Sequence, residues 1–313
     1  MTAHPPPSNA RTPAPDGRAI PAQFALTGIA WGASFLFIAI GLTGLTPAQV
    51  VWSRLVFGAL ALAAIVAVRR ERLPRDPRVW GHLSVIAVTF CVAPYLLFAW
   101  AQQHVPSGLA SIFNATTPIM TAIMAWLVFR VEKLDAGQLT GIGVGVAGVA
   151  LIIGPGAGAD MTDSVIAHLA LLGATACYGF SLAYMRRFLG DTGMSGLALA
   201  AGFVGIGALL MLAASPWTFR TPPMWSPEVV ASMIALGSIG TGLAYVWNQN
   251  TLRAWGPTRA STVTYITPVI GVLLGIAILG ERLSWNEPVG AGIVFVGILL
   301  VQRRLRLGSR IRA

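Results

Sequence analysis

Apolar residues gather into runs of about 20, each long enough to cross a bilayer as a helix, and polar and charged residues are pushed into the gaps between them. Ten such runs are read from the sequence, at 23–43, 48–68, 81–101, 107–129, 137–154, 166–185, 195–213, 228–251, 259–279 and 288–302. The pattern predicts an all-α membrane protein of ten transmembrane helices. Before the first run stands "MTAHPPPSNARTPAPDGRAIP", which has no apolar core or cleavage-type ending and does not read as a signal peptide. Residues 1–20 are expected to be a disordered cytoplasmic tail, and 303–313 a basic one.

Composition agrees with this reading. The chain is 55% hydrophobic and 10% charged, with mean hydropathy +0.72, where soluble folds carry roughly a quarter charged residues. Its net charge of +10 would suggest nucleic acid in a soluble protein, but its placement follows membrane topology, so no nucleic-acid partner is expected. Arg11, Arg18, Arg69, Arg70, Arg72, Arg75, Arg78, Arg130, Lys133, Arg186, Arg187, Arg253, Arg259, Arg303, Arg304, Arg306, Arg310 and Arg312 fall on one side, against Arg220 and Arg282 on the other. By the positive-inside rule both termini are expected in the cytoplasm. Cys91 and Cys177 lie inside runs and read as small packing residues. No metal or cofactor is implied.

The chain repeats itself. Glu132, Gly141, Gly143 and Gly148 recur 149 residues later as Glu281, Gly290, Gly292 and Gly297. At an offset of 150, Tyr95, Ala110, Ser111, Thr117 and Pro118 meet Tyr245, Ala260, Ser261, Thr267 and Pro268; at 147, Trp31, Gly32 and Ser34 meet Tyr178, Gly179 and Ser181. The halves run 21–154 and 163–302. Five spans enter on one side and leave on the other, so the second half must be inverted, an architecture associated with secondary transporters.

"WGASF" (31–35), Pro47 followed by Arg54, the Thr-Pro inside spans four and nine, and "EKL" or "GERLS" before a glycine-rich span resemble the EamA family of the drug/metabolite transporter superfamily. The resemblance covers nearly the whole chain apart from its tails. It implies a ten-helix inner-membrane carrier, many of whose relatives export amino acids or other small metabolites. The second half departs from the pattern, with Ala201 where Arg54 would align, so any role of Arg54 is not duplicated.

In inverted-repeat carriers the substrate sits near mid-membrane beside interrupted helices. Pro118 and Pro268 are therefore candidate hinges, whereas Pro94, whose counterpart is Ala244, reads as a tolerated kink. Tyr95 and Gln102 in span three, Ser111 and Asn114 in span four, Tyr245, Asn248 and Gln249 in span eight, and Ser261, Thr264 and Tyr265 in span nine recur at helical spacings. Single hydroxyls such as these commonly only join helices. Trp31, Arg54, Tyr95, Asn114, Tyr178, Tyr245, Asn248 and Tyr265 are together expected to bind substrate. Arg54 has three readings: a partner for a substrate carboxylate, a side chain that snorkels to the interface, or a bond between helices.

No Asp or Glu falls near the centre of a span, which leans against a proton-coupled pump for cationic drugs. Glu132 and Glu281 are expected to pair with Lys133 or Arg282, or to cap the next helix. The glycine runs at 141–148 and 290–297 read as packing faces that could also serve a homodimer contact. "GPGAGAD" (154–160) follows a helix and lacks the strand context of a phosphate loop. HExxH, GxSxG and Cys–His pairings are absent, which weighs against an enzyme; a channel would need a selectivity loop or charge ring. The expectation is an exporter of small metabolites such as amino acids, working by alternating access in the lipid bilayer, with multidrug or other lipophilic-solute efflux as the alternative.

Overall fold

The structure, a computed structural model, describes residues 19–154, 161–190 and 192–305. Most of both tails and of "GPGAGAD" therefore lies outside the described residues. The described chain folds into ten long helices with no strands: α1 (Ile20–Leu42), α2 (Pro47–Arg69), α3 (Pro77–Ala101), α4 (Ser107–Leu127), α5 (Ala136–Ile153), α6 (Met161–Phe188), α7 (Gly196–Ala213), α8 (Pro227–Trp255), α9 (Val263–Leu279) and α10 (Asn286–Val301). Eight are long and apolar enough to cross a membrane; α9 and α10 are apolar but shorter, at 17 and 16 residues. A single helical turn, Pro257–Ala260, precedes α9.

The helix starts follow from local chemistry. Thr46 and Gln49 form a reciprocal capping box at α2, as do Asp135 and Gln138 at α5. Asp76, Ser195 and Ser226 accept a first-turn amide at α3, α7 and α8. These side chains satisfy amides that would otherwise lack partners in an apolar setting.

Packing obeys the repeat. α1 lies on α8 and α9, and α6 correspondingly on α3 and α4; α2 packs on α8 as α7 packs on α3; and α2–α7, α4–α9 and α5–α10 each pair an element with its own counterpart. Exchanging every helix with the one five places on leaves this scheme unchanged, which is what two inverted five-helix repeats require. The α5–α10 seam is the closest pairing. A Cβ on Gly148 would lie 2.7 Å from the Val294 amide nitrogen and 2.8 Å from the Gly290 carbonyl; one on Gly297 would lie 2.7 Å from the Gly141 carbonyl. Backbones meet there, so these glycines serve contact within the chain, while Gly143 and Gly292 face open space.

Three helices are interrupted, and a break sets α9 off from the turn before it. α3 and α8 each contain a wide, π-helical stretch, Ala87–Val92 and Ala235–Leu243, at repeat-equivalent positions. Pro94 directly follows the first, so its missing amide is absorbed by the wide turn rather than by a simple kink. The break is symmetric although the proline is not. α4 breaks at Ala115–Thr116, just before Pro118, and the Thr117 hydroxyl donates to the Asn114 carbonyl (2.7 Å), the acceptor that Pro118 cannot serve. α9 runs through Pro268 unbroken; the break lies earlier, at Ser261–Thr262.

The expected roles of the two loop carboxylates need correction. Glu132 pairs with Arg186 of α6, not Lys133. Glu281 bonds neither Arg282 nor α10; its carboxylate accepts the amides of Ser107 and Gly108 at the start of α4, at 2.6 and 2.9 Å. The next helices are served instead by Asp135 and by Glu287, which accepts the Ser284 amide. Both cysteines are free, Cys91 buried and Cys177 half-buried.

Candidate functional site

A cavity of about 400 Å³ lies between the halves, lined from α1, α2, α3, α4, α6, α7, α8 and α9. It takes nothing from α5 or α10. Its lining reaches Met185, Gly196, Leu252 and Ala260, beside Arg186, Arg253 and Arg259, at the end of the bundle rich in arginine. Toward the other end it stops at Ile38, Arg54, Tyr95 and Asn114, and among the described residues no loop of that end contributes. That end is closed by loop contacts: the Gln49 amide donates to the Thr218 and Thr221 carbonyls (3.2 and 2.7 Å), Trp52 to the Ser215 hydroxyl (2.9 Å), and the Met224 amide to the Gly44 carbonyl (2.9 Å). The cavity is a blind well with its mouth at the arginine-rich end.

Around its middle runs a belt of aromatic rings. Trp31 meets Tyr245 (6.4 Å between centroids), Tyr245 meets Phe203 (5.8 Å), Phe203 meets Phe90 (5.6 Å), Phe90 meets Tyr178 (5.2 Å), Tyr178 meets Phe98 (5.9 Å) and Phe98 meets Phe35 (5.6 Å). Phe35 lies one turn from Trp31 on α1, so the belt closes on itself. Five of the six contacts are edge-to-face and one is stacked, the geometries that aromatic quadrupoles favour. All seven residues line the cavity.

Arg54 stands at the floor. It is 9% exposed, its guanidinium carbon lies 3.7 Å from the centroid of the Tyr95 ring, and its Nε donates to the Thr241 hydroxyl at 3.1 Å. Thr241 sits inside the π-helical stretch of α8, and Tyr95 just past that of α3, so both wide turns serve the same cation. Snorkelling is ruled out by this inward placement. Among the described residues no carboxylate pairs with Arg54, and none lines the cavity. Amides and hydroxyls occupy the remaining wall: Asn114 and Thr117 from α4, Asn248 and Gln249 from α8, and Ser261, Thr264 and Thr267 from the α9 side.

Of the residues singled out in the sequence, the fold brings Trp31, Arg54, Tyr95, Asn114, Tyr178, Tyr245 and Asn248 to this cavity. Tyr265 is not among the lining residues. Thr264 and Thr267 take the cavity face of α9, and the next residue round, about 100° away, is turned to α10, where the Tyr265 hydroxyl bonds Gln302 and its ring meets Phe295 at 4.9 Å. Gln102 also stays outside the cavity, with its amide buried beyond the last turn of α3. The sequence reading missed Phe35, Phe90, Phe98, Phe203 and Thr241. A phenylalanine in an apolar span carries no mark of which way it faces; Thr241, spaced four and seven residues before Tyr245 and Asn248, did carry a face signal.

A ten-helix inverted repeat enclosing a well that opens at one end is the build of a membrane carrier. The model of the EamA-like transporter family matches residues 22–154 and again 165–303, and the chain belongs to that family. It is 29% identical over 286 residues to a probable terminal-alkyne amino-acid exporter of Streptantibioticus cattleyicolor, covering 91% of this chain and 93% of that protein. It is 26% identical over 284 residues to the uncharacterized inner membrane transporter YedA of Escherichia coli K12, covering 90% and 89%. Protein PecM of Dickeya dadantii is 23% identical, over 77% of this chain and 79% of its own. A solved crystal structure with 17% identity superimposes over 89% of this chain and 99% of its own with a TM-score of 0.62, a likeness of fold alone. The protein is thus an integral membrane protein of a transporter family.

Proposed function

We propose that the protein is a secondary carrier, not an enzyme, that exports amino acids or closely related metabolites by alternating access. The observation that carries the reading is the blind well, with a buried cation at its floor that pairs with no carboxylate among the described residues and an aromatic belt above it. An α-amino acid matches these surfaces: Arg54 for the carboxylate, the amides of Asn114 and Asn248 for the ammonium, and the belt for an apolar side chain. The arginine-rich mouth belongs in the cytoplasm under the positive-inside rule, so both termini are cytoplasmic and the well is poised to load from within. The amino-acid exporter named among the relatives points the same way. A lipophilic cation would find aromatic faces but no carboxylate in this lining, so cationic drug efflux is the less favoured reading.

In this mechanism the halves 21–154 and 163–302 rock about the α5–α10 seam that holds them together, with the interruptions beside Pro118 and ahead of Pro268 absorbing the change. Solute binding to the folded carrier raises its stability. In a thermal-shift screen of the purified protein, amino acids with apolar side chains are expected to raise the melting temperature, and nucleosides and organic cations to leave it unchanged. Stabilisation by organic cations alone would reverse the assignment. In proteoliposomes, Tyr245→Ala or Asn248→Ala is expected to reduce flux of the stabilising solute with the melting temperature retained. Unchanged flux in both removes α8 from the site.

A further inference from the structure

At the arginine-poor end the two halves are joined by a contact that the other end does not repeat. Gly280 closes α9 in the left-handed region (φ 67°), and the Glu281 amide folds back onto the Gly275 carbonyl at 3.1 Å. This turn aims the Glu281 side chain across the repeat boundary at α4, where its carboxylate takes the amides of Ser107 and Gly108. Glycine at 108 leaves room for it, since a Cβ there would lie 3.3 Å from Oε2. A carboxylate on unpaired amides at the positive end of a helix makes charge-assisted bonds.

The backbone at the arginine-rich end is built the same way. Arg130 has φ 51°, and the Val131 amide bonds the Ala125 carbonyl at 3.0 Å. Arg130, Val131 and Ala125 each stand 150 residues before Gly280, Glu281 and Gly275. The side chain at the place of Glu281 is therefore Val131. Glu132 comes one residue too late, and its pair with Arg186 is largely exposed, at 32% and 66%, where ion pairs contribute little. The donor is missing too: the residue 150 after Ser107 is Pro257, the first of its turn, which has no amide hydrogen.

We infer that Glu281 on the α4 N-terminus is a one-sided clamp: it holds the arginine-poor end shut and sets the resting state with the cavity facing the arginine-rich end. This rests on the alternating-access reading. It adds the direction of rest, because the opposite closure has neither the carboxylate nor the first donor. An unloaded carrier would return by itself to the state in which it can load from the arginine-rich side.

Electron-resonance distances between spin labels test this in the full chain, with Cys177→Ala as background. One pair, Gln103→Cys with Leu279→Cys, spans the clamped end; the other, Arg187→Cys with Arg253→Cys, spans the mouth. Glu281→Gln removes the charge. Ser107→Pro removes the 2.6 Å donor at a first-turn position that accepts proline, after a residue whose ψ of 149° is already what a following proline requires. Each variant is expected to raise the ratio of clamp-open, mouth-closed molecules by about tenfold, the effect of losing a bond to a charged group, while Glu132→Gln leaves both distances in place. Unchanged distances in either variant overturn the clamp, as does lengthening at the clamped end without shortening at the mouth, which is loop fraying. The distances are read without solute, so a silent transport assay leaves this test intact, and an unchanged distance leaves the carrier reading standing.

Discussion

Arg54 is held on two sides. Its Nε is engaged by Thr241 and one face of its guanidinium by the Tyr95 ring, which leaves the four N–H groups of its terminal nitrogens for other partners. Lysine would keep the charge but has no Nε to reach Thr241 and no planar face to lie on Tyr95. Arg54→Lys is therefore expected to lower flux of a carboxylate-bearing solute by about tenfold to a hundredfold, the effect of one or two lost bonds to a charged group. Measured in proteoliposomes, flux within twofold of the parent would show that only the charge matters. Thr241→Val removes one acceptor and should cost less than Arg54→Lys in the same assay.

The interrupted helices place these groups, and here the limits of sequence reading become physical. Helix number, parity and register were legible, because a membrane span must be long and apolar and an odd-numbered repeat must invert. Most of the polar cavity residues were legible as well, since a Tyr or Asn inside an apolar run has few other places to go. The wide turns in α3 and α8 were not: "ALGSIGTGL" (235–243) carries nothing that distinguishes a π-helical stretch from a flexible α-helix. Nor was the partner of Glu281, which lies 173 and 174 residues away. The π stretch of α8 also makes a tight contact with α2: a Cβ on Gly237 would lie 2.5 Å from the Phe57 Cβ and 2.9 Å from the Arg54 carbonyl. Gly237→Ala is thus expected to push α2 outward and displace Arg54, costing about 1–3 kcal/mol of stability and most of the flux, although residue 237 does not line the cavity. Chemical denaturation and flux together check this; full flux would mean that α2 moves freely.

At the scale of the whole molecule, the cavity and its supports belong to eight helices, and the remaining two form a seam of their own. Backbone contact between α5 and α10 leaves no room for them to slide: Gly148→Leu should lower the melting temperature by several degrees, while Gly143→Leu, on the open face, should leave it near the parent value. Matching changes in both would show that the seam is loose. Since α5 ends the first half and α10 the second, this seam fastens one half to the other by contact alone. Covalent continuity between them is then a convenience of synthesis. Two separately expressed polypeptides, divided between residues 154 and 165, should find each other in the membrane and restore transport, and Gly148→Leu should abolish that reassembly before it abolishes the intact chain. The same seam would let an ancestral five-helix unit, inserted in both orientations, pair with its own inverted copy before gene duplication ever joined the two.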